Sequence, residues 1–596
     1  MLRTFSNILI LVGLILPTVV LASDSSIAGE LKTFSRIITQ PDAEYIIEVG
    51  GTLDPENVEI TIENLGDAPI KDPRITVNGR YDWFDIKSMA ADITQGCTTD
   101  EEKAIAIWQW VRWKRFQRSP SDKSSPNPVR AMNGYGYGIC GHTAAWIKAL
   151  CLKVDLKARV QEMWGHTVNE IFYDDAWHFF DGNVKVFYLG RDNRTIASIA
   201  QLERDRWLIE RTIHPREPWN IPEDAPGLND ELANYITTYK DNFVEHSYDY
   251  QIGQDYNMSY TLKPGEKLIR WWKPTLNKYE NRHNNPLVPE RYANGQLIWT
   301  PDLKKIDAND YINIIENIAT RQQDGASPAI HVKDMQDNKY TRPSRFYIPI
   351  KSAYPIVGGR FWCGLFKDNG AAVNVSYGNP GWGAGNLYAY RWNSGLKDIE
   401  IDLDQKILHD SPAYEYKIGF NLKANADRKP PAQAGVEWFK SVTDLQVSPH
   451  SLPALSLGEN IIRCKTNNTG AVKFKINYQW REHDDNNKPG QITSSKSPEK
   501  FDTLTPLLKW APTQDIDQGD HIADYQVMVS LRSDCKWPLS TTLHRNVGSD
   551  TCEWKVPKSF LNPGTTYYWK VRARDSRKTI GEWGTIFTFK TTADAK

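Results

Sequence analysis

Residues 134–181 read GYGYGICGHTAAWIKALCLKVDLKARVQEMWGHTVNEIFYDDAWHFFD, and this stretch decides the fold of the central part of the chain. A turn rich in glycine and tyrosine ends at Cys140, and the mostly apolar run from Ala144 to Cys151 predicts a helix directly after it. The cysteine then lies at a helix N-terminus. Free N–H groups and the helix dipole favour a thiolate there, which lowers the thiol pKa.

The second part of the stretch predicts three strands. The first runs over residues 156–164, and the other two form a hairpin with arms His166–Tyr173 and Ala176 to Asp181. Asp174 and Asp175 form the turn between the two arms. The hairpin therefore has a two-residue turn, which fixes which residues of its arms face each other.

The pairing register of this hairpin brings two polar side chains together. Asp181 lies opposite Val168, and Val168 shares a strand face with His166 because residues on one face are two apart. His166 and Asp181 are then diagonal neighbours, close enough for a hydrogen bond. His178 points to the other face, which excludes it as a partner. We expect Cys140 to reach His166 from a helix packed on the His166 face.

Cys140, His166 and Asp181 are the candidate catalytic residues. A thiolate needs a base to take its proton, and the base needs a third group to orient it. The competing interpretations are a buried or disulfide-bonded Cys140, a structural strand histidine at His166, and a turn formed by Asp181 with Gly182. A glycine-rich turn directly before a helix is a poor place for a core cysteine, which favours the catalytic interpretation.

Three short motifs in the same region resemble those of a known family. They are G-x-C-G around Cys140, G-H-x-x-N-E from Gly165 to Glu170, and W-x-x-x-D from Trp177 to Asp181. Together they are similar to the transglutaminase-like core, a papain-type cysteine fold shared by transglutaminases, peptide N-glycanases and many bacterial proteases and amidases. The run Asp100–Trp113 resembles the helix that precedes the nucleophile in that family. The resemblance covers about one sixth of the chain and implies covalent acyl transfer by a Cys-His-Asp triad.

The same resemblance implies an oxyanion hole made by the backbone N–H of Cys140 and one further side chain. Gln109, Trp110 and Trp113 are the candidates for that side chain. A zinc site that includes Cys140, His166 and the nearby His142 is the alternative use of these residues. Zinc sites usually carry a second Cys or His pair at short spacing, which this sequence lacks, so we expect no metal and no cofactor.

Composition limits the classes of function. The chain has 596 residues, enough for about four domains. It carries 72 basic and 73 acidic residues for a formal net charge of −1, and nucleic-acid binders instead show a net basic domain. Aromatic residues make up 11% of the chain and include 22 Trp, which suits either sugar-binding faces or, more simply, β-sandwich cores.

The N-terminal residues predict export. Residues 1–22 contain a basic start, an apolar run and a small-residue exit, which is typical of a secretory signal peptide. No later run has the 18 apolar residues of a membrane span. We therefore expect a secreted or periplasmic protein without a membrane span. The chain has seven Cys, and this odd number leaves one thiol to explain.

The predicted fold class is an α+β transglutaminase-like core followed by all-β sandwich domains. A capping box at Thr99 begins the helix before the nucleophile, and residues 195–211 predict one further helix. The run 259–272 predicts a hairpin around Pro264–Gly265. The predicted boundaries are a signal peptide at 1–22, an N-terminal β-element at 23–82, the catalytic core at 83–213, an aromatic-rich region of uncertain fold at 214–340, a β-sandwich at 341–500 and a further β domain at 501–596.

The C-terminal part, residues 501–596, resembles a fibronectin type III module. The resemblance rests on L-K-W-A-P at 508–512, W-K-V-P at 554–557 and L-N-P-G-T-T-Y-Y-W-K-V-R-A at 561–573. Tyr567 falls at the position of the tyrosine corner of such sandwiches. Cys535 and Cys552 lie in this module, and in an oxidising compartment we predict that they are bonded or close enough to bond.

The preferred function is an exported, cysteine-dependent enzyme that hydrolyses an amide bond, of the protease or amidase type. Two alternatives stay open. One is a glycan-directed enzyme, or a binding protein for polysaccharide, built on the same core; the other is a binding protein whose triad is idle. The expected partners are a peptide, amide or glycan-linked substrate, with possible polysaccharide contact through β-domains such as the glycine- and tryptophan-rich run 375–392.

Overall fold

The computed structural model describes residues 29–117, 127–163, 166–212, 256–280, 291–336, 344–378, 392–404 and 413–596, together with positions 233, 236, 244–245, 387–389 and 407. The predicted signal peptide lies outside these residues, as do Gly165 of the G-H-x-x-N-E motif and most of the run 375–392. No helix in the described part of the chain is long and apolar enough to cross a membrane.

The first part of the chain forms strands. They are β1 Leu31–Ile38, β2 Asp42–Val49, β3 Glu56–Asn64, β4 Ile70–Lys71 and β5 Arg74–Val77. In β2 and β5 every second residue is buried, which is what a strand with one solvent face produces.

Helices and a small sheet follow. They are α1 Ile86–Ile93, α2 Asp100–Trp113, β6 Phe116–Gln117, α3 Pro128–Arg130, a π-helical turn Ala131–Tyr135, β7 Tyr137–Gly138, α4 Cys140–Leu152, β8 Lys157–Met163, β9 His166–Tyr173, β10 Ala176–Phe180, α5 Ile199–Arg204 and α6 Trp207–Glu210. The predicted start of α2 is confirmed, because Thr99 Oγ1 accepts a hydrogen bond from Glu102 N. The Glu102 carboxylate bonds Thr98 rather than Thr99, so only half of the predicted capping box forms.

The prediction of one helix over 195–211 was wrong. The first helix begins only at Ile199, where Ser198 forms a capping box with Gln201. It ends at Asp205, whose backbone leaves the helical region and whose carboxylate receives the Arg191 guanidinium. A second short helix then begins at Trp207.

The middle of the chain is mostly strand. Its elements are β11 Val244–Glu245, β12 Thr261–Leu262, β13 Glu266–Trp271, β14 Leu276–Glu280, β15 Arg291–Ala293, β16 Gly295–Trp299, a 3₁₀ turn Ala308–Asp310, β17 Asn313–Glu316, β18 Ile318–Thr320, α7 Arg321–Asp324, β19 Ile330–Val332, β20 Ser344–Lys367, β21 Ala372–Gly378, β22 Leu387–Ala389, β23 Gly395–Asp402, β24 Ala413–Lys423, β25 Ala434–Leu445, a 3₁₀ turn Pro449–Ser451, β26 Gly458–Lys465 and β27 Phe474–Arg481.

One large antiparallel sheet joins strands that are far apart in sequence. Its path runs β1-β27-β3-β13-β16-β25-β20-β24-β21-β22. Leu31 at the start of β1 pairs with Arg481 at the end of β27, and β2 pairs with β26 in a separate small sheet. The hairpin predicted around Pro264–Gly265 was wrong: β12 pairs with β4, and β13 pairs with β3 and β16.

The four-stranded sheet β10-β9-β8-β11 carries the stretch that decides the central fold. The predicted hairpin is confirmed, with Tyr173 paired to Ala176 and Asn169 paired to Phe180. Its turn residues Asp174 and Asp175 both have positive φ, 47° and 57°, as a tight two-residue turn requires. The register that brings Asp181 opposite Val168 follows directly.

The C-terminal part is a β-sandwich. Its elements are β28 Lys500–Phe501, β29 Leu507–Lys509, β30 Ile522–Ser530, a 3₁₀ turn Thr541–Leu543, β31 His544–Gly548, β32 Glu553–Lys555, β33 Thr566–Asp575 and β34 Phe587–Thr591. A five-stranded sheet β28-β34-β33-β30-β31 faces the β29-β32 pair across buried Trp510 and Trp569. Tyr567 OH accepts a hydrogen bond from Asn562 N at 2.7 Å, the contact expected of a tyrosine corner.

The predicted Cys535–Cys552 disulfide was wrong, since both residues are free thiols. Cys552 Sγ donates to Tyr525 OH at 3.6 Å, near the start of β30. Cys535 N donates to Arg532 O, just beyond the end of the same strand. Shared membership of one module in an oxidising compartment therefore does not imply a bond.

Candidate active site

Cys140 is the first residue of helix α4, as the sequence predicts. The helix has no side-chain cap at Ile139, so backbone N–H groups of its first turn are open toward the cysteine. The approach to Cys140 requires glycine at position 138, because a Cβ atom there would lie 2.3 Å from the Trp146 ring. The tight Gly138–Trp146 packing thus fixes the position at which the helix begins.

His166 and Asp181 meet as the hairpin register predicts. His166 Nε2 lies 2.6 Å from Asp181 Oδ2, and both side chains are buried. The other ring nitrogen of His166 is left for Cys140, to which the ring is hydrogen-bonded. One imidazole therefore bridges a thiol and a carboxylate.

The approach of Cys140 differs from the prediction. Helix α4 packs on the opposite face of β9, where Asn169 Nδ2 donates to Ala144 O at 2.8 Å. Cys140 reaches His166 where β9 begins, and Thr167 N–H also points to its sulfur. The prediction was wrong because a residue at a strand end can be reached past the sheet edge from either face.

The opposite charges of Cys140, His166 and Asp181 stabilise one another. Burial raises the pKa of Cys140, but the hydrogen bond and positive charge of His166, with the N–H groups of Gly141 and Thr167, outweigh it and bring the pKa below its usual value. Burial lowers the pKa of His166, yet Asp181 and Cys140 together raise it to about 10. The favoured state is a thiolate beside an imidazolium.

Asp181 is held from several sides. Its Oδ1 accepts from Asn183 N at 2.8 Å and from Val184 N at 2.7 Å, and its backbone carbonyl accepts from the Trp108 indole at 2.8 Å. Burial raises the pKa of Asp181, but His166 and these N–H donors keep it below its usual value. The carboxylate stays ionised and fixed in orientation.

Arg115 ties together the two loops that carry the nucleophile and the aspartate. Its buried guanidinium donates to Gly138 O at 3.1 Å, to Gly182 O at 2.9 Å and to Asn183 O at 2.7 Å. Gly138 lies two residues before Cys140, and Gly182 directly follows Asp181. This role was not predictable, because Arg115 stands in a basic run that resembles an exposed helix end.

Asn169 and Glu170, the last two residues of the G-H-x-x-N-E motif, serve the fold. Glu170 accepts from Arg159 at 2.6 Å and from Ile199 N at 2.8 Å, and Asn169 holds α4 as described above. His178 is buried on the other face, as predicted, with Nδ1 2.6 Å from Ile196 O and Nε2 3.1 Å from Tyr173 O. His178 is therefore a structural histidine.

The remaining sequence candidates lie around the site. His142 packs beside Trp146, and burial together with the charge of Arg115 lowers its pKa to about 4. Trp110 packs edge-on against Trp83, and Gln109 accepts a hydrogen bond from Arg112. The Arg112 guanidinium lies over the Trp113 ring, 5.4 Å from its centroid. None of these contacts directs a side-chain donor toward Cys140, whereas the backbone N–H groups of Gly141 and Thr167 do point there.

Two parts of the chain match known protein families. Residues 87–184 match the family described as Transglutaminase-like superfamily, which supports a cysteine-type enzyme and confirms the predicted fold class of an α+β core with β domains. Residues 490–593 match the family described as Rha78A-like, N-terminal immunoglobulin domain, so this part is an immunoglobulin-like β domain. No curated protein matches the sequence.

Solved structures give only distant similarities. They include the spore cortex lytic enzyme SleM of Clostridium perfringens, 14% identical over 21% of this chain and 35% of that chain, with a TM-score of 0.14. The glycoside hydrolase domain of Endo-D from Streptococcus pneumoniae R6 is 9% identical over 53% and 36%, with a TM-score of 0.13. Chicken CNTN1 FN1-FN3 domains are 11% identical over 42% and 63%, with a TM-score of 0.14. The chain spans about a third of the length of the first two. At these identities and TM-scores the similarities indicate neither a fold nor a function for this chain.

Proposed function

We propose that this chain is a cysteine-dependent acyl-transfer enzyme that hydrolyses an amide bond with Cys140, His166 and Asp181. The observation that carries the proposal is the His166 ring, which is hydrogen-bonded to Cys140 and lies 2.6 Å from the Asp181 carboxylate. This is the arrangement in which a nucleophile is activated by a base that a third group orients. The match of residues 87–184 to a cysteine-type enzyme family supports it.

The proposed reaction has two stages. The Cys140 thiolate attacks the amide carbonyl carbon, and as the C–N bond breaks, His166 gives its proton to the leaving amine. This leaves a thioester on Cys140. His166 then takes a proton from water, the water oxygen attacks the thioester, and the thiolate leaves with the carboxylic acid product formed. Backbone N–H groups at the start of α4 stabilise the oxyanion in both stages.

We further propose that the substrate is a peptide, another amide or a glycan-linked amide, and that the enzyme is exported. Export rests on the sequence of residues 1–22. The C-terminal domain is proposed to be of the fibronectin type III kind, supported by the Tyr567 corner. Such a module provides a spacer or an adhesion unit rather than chemistry.

Replacing Cys140 with Ala tests the proposal on panels of peptide, amide and glycopeptide substrates. We expect the variant to fold, because Ala is tolerated in the first turn of a helix, and to lose about 10⁴- to 10⁶-fold in kcat. Cys97→Ala is the matched control, since Cys97 is a partly exposed free thiol outside this cluster. Retention of more than about a hundredth of the parent rate in Cys140→Ala would remove Cys140 from the role of nucleophile.

A further inference from the structure

A small cavity lies between the N-terminal strands and the large sheet. Its volume is about 60 Å³, and its lining includes Arg74 of β5, residues 81–84 before α1, Arg270 of β13 and Tyr354 of β20. One water needs about 10–15 Å³ of such space, so the cavity holds about four to six non-hydrogen atoms. The residues that line it are all distinct from the three catalytic candidates.

Arg270 brings a buried positive charge to this cavity. The residue is 8% exposed, and in the described part of the chain its guanidinium makes one hydrogen bond, from Nη1 to Tyr354 OH at 3.2 Å. No carboxylate of a described residue forms an ion pair with it, and its electrostatic partners are the hydroxyl groups of Tyr354, Tyr260 and Tyr478. Tyrosine hydroxyls are neutral near pH 7. A buried guanidinium that faces only neutral groups is unfavourable unless an anion joins it.

One edge of the Arg270 guanidinium is open. Nε is buried and has no hydrogen-bond partner among the described residues, and none of those residues accepts from Nη2. Nε and Nη2 lie on the same side of the planar group, and their parallel N–H bonds form the fork that holds the two oxygens of a carboxylate. The Tyr354 hydroxyl accepts from Nη1, and its own proton has no acceptor in the described part of the chain. Three donors are therefore left for a ligand.

The other charges at the cavity leave that of Arg270 uncompensated. Arg74 and Asp82 are the more exposed members of the lining and form a long ion pair, with Nη1 3.9 Å from Oδ1. Asp82 Oδ1 makes no hydrogen bond to a described residue, so Arg74 is the partner that the structure gives it. Two guanidinium groups and one carboxylate give the lining a net charge of +1. A ligand with a single negative charge balances it.

We propose that this cavity binds a small monocarboxylate, with its oxygens on Nε and Nη2 of Arg270 and a further hydrogen bond from Tyr354 OH. A phosphate or sulfate dianion carries more charge than the lining offsets. Trp83, Phe84 and Met258 also line the cavity and would cover the carbon chain of the acid. Ligand sites commonly combine such apolar walls with a few polar groups. The volume limits the acid to the size of acetate, propionate or lactate.

Acetate and propionate binding to the full chain tests the proposal, followed by calorimetry and thermal unfolding. The controls are acetamide, which has the shape of acetate without its charge, and NaCl at the same ionic strength. We expect one site per chain, a dissociation constant at or below about 10 mM, and a rise in melting temperature that neither control reproduces. No binding heat, and no rise in melting temperature beyond that in NaCl at about 50 mM of either acid, would overturn the proposal.

The carboxylate has two possible sources, a small free acid and the C-terminus of a peptide. N-acetylglycylglycine with a free or an amidated C-terminus separates them. Tighter binding of the free-ended peptide than of acetate would identify a chain end as the source, and weaker binding would identify a free acid. The amidated peptide should not bind, since it lacks the charge that Arg270 requires. Equal binding of the two peptides would contradict a carboxylate site.

Single substitutions locate the anion. Arg270→Met should abolish the response to acetate, since it removes the charge and both N–H groups of the open edge. Tyr354→Phe should weaken binding by about tenfold or more, because it removes a hydrogen bond to a charged group. Arg345→Met, at an exposed position of β20 that pairs with Glu316, is the matched control and should bind as the parent does. An unchanged response in both Arg270→Met and Tyr354→Phe would overturn the assignment, and Tyr354→Phe alone decides if Arg270→Met fails to fold.

Discussion

His166 and His178 lie on neighbouring strands of one hairpin and are 8% and 2% exposed, yet their surroundings give them different chemistry. His166 meets two ionisable partners, the Cys140 thiol and the Asp181 carboxylate. His178 meets two backbone carbonyl oxygens and stacks on Tyr173 with ring centroids 3.7 Å apart. Burial and hydrogen bonding alone therefore do not make a histidine reactive. The difference lies in whether its partners can exchange a proton or a charge with it.

Removing each histidine in turn gives the largest contrast. We expect His166→Ala to lower amide hydrolysis by about 10⁴- to 10⁶-fold, since the thiolate and the general acid are lost together. His178→Asn should lower stability by about 1–3 kcal/mol through the unpaired carbonyls but leave kcat per folded molecule unchanged. Turnover and chemical denaturation of both variants measure this. Equal loss of turnover in the two would refute the division of roles.

The Asp181→Asn variant should have the next largest effect, a loss of about 10²- to 10⁴-fold in kcat. Because Oδ1 already accepts from Asn183 N and Val184 N, the new amide nitrogen would point at His166 Nε2. An amide N–H at that position requires His166 Nε2 to be unprotonated. The ring then cannot be the imidazolium that stabilises the Cys140 thiolate. Turnover near the parent level, in a variant with the parent's circular dichroism, would show that Asp181 only fills space.

Replacing Arg115, which positions the loops of the site, should have a smaller effect. Arg115→Ala leaves the carbonyls of Gly138, Gly182 and Asn183 without this donor and loosens the loops of Cys140 and Asp181. We expect turnover to fall about 10- to 100-fold, with Arg115→Lys in between, because an ammonium cannot span both loops as a guanidinium does. Arg159→Lys, on the sheet that carries His166 but bonded to Glu170, is the control. A pH dependence of Cys140 alkylation identical in Arg115→Ala and parent would contradict a positioning role.

The candidate site was largely predictable from the sequence because its geometry is local. A two-residue turn at Asp174–Asp175 fixes the hairpin register, and the register alone brings His166 to Asp181 and turns His178 away. The supports of the site were not predictable. The Arg115 side chain donates to backbone carbonyls, and Thr167 contributes its own backbone N–H. Neither residue type indicates such a role.

The large sheet was less predictable, because alternation indicates a strand but not its partner. Strands β1 and β27 pair across more than 400 residues, and β12 and β13 separate to different partners in spite of the turn between them. The packing of helix α4 on the face opposite to His166 was unpredictable for a similar reason. Sequence spacing gives the faces of a strand but does not say which face a neighbouring helix covers.

The pH dependence of Cys140 alkylation by iodoacetamide tests the thiolate–imidazolium pair of Cys140 and His166, and it needs no substrate. The rate at Cys140, followed by peptide mass spectrometry, reports the thiolate fraction. We expect it to rise as pH increases through an apparent pKa below the usual value of about 8.5, and His166→Ala to move that pKa upward, since the imidazolium no longer stabilises the thiolate. Amide turnover should fall again as pH rises through the pKa of His166 at about 10. An alkylation profile with an ordinary thiol pKa, the same in parent and His166→Ala, would contradict the account.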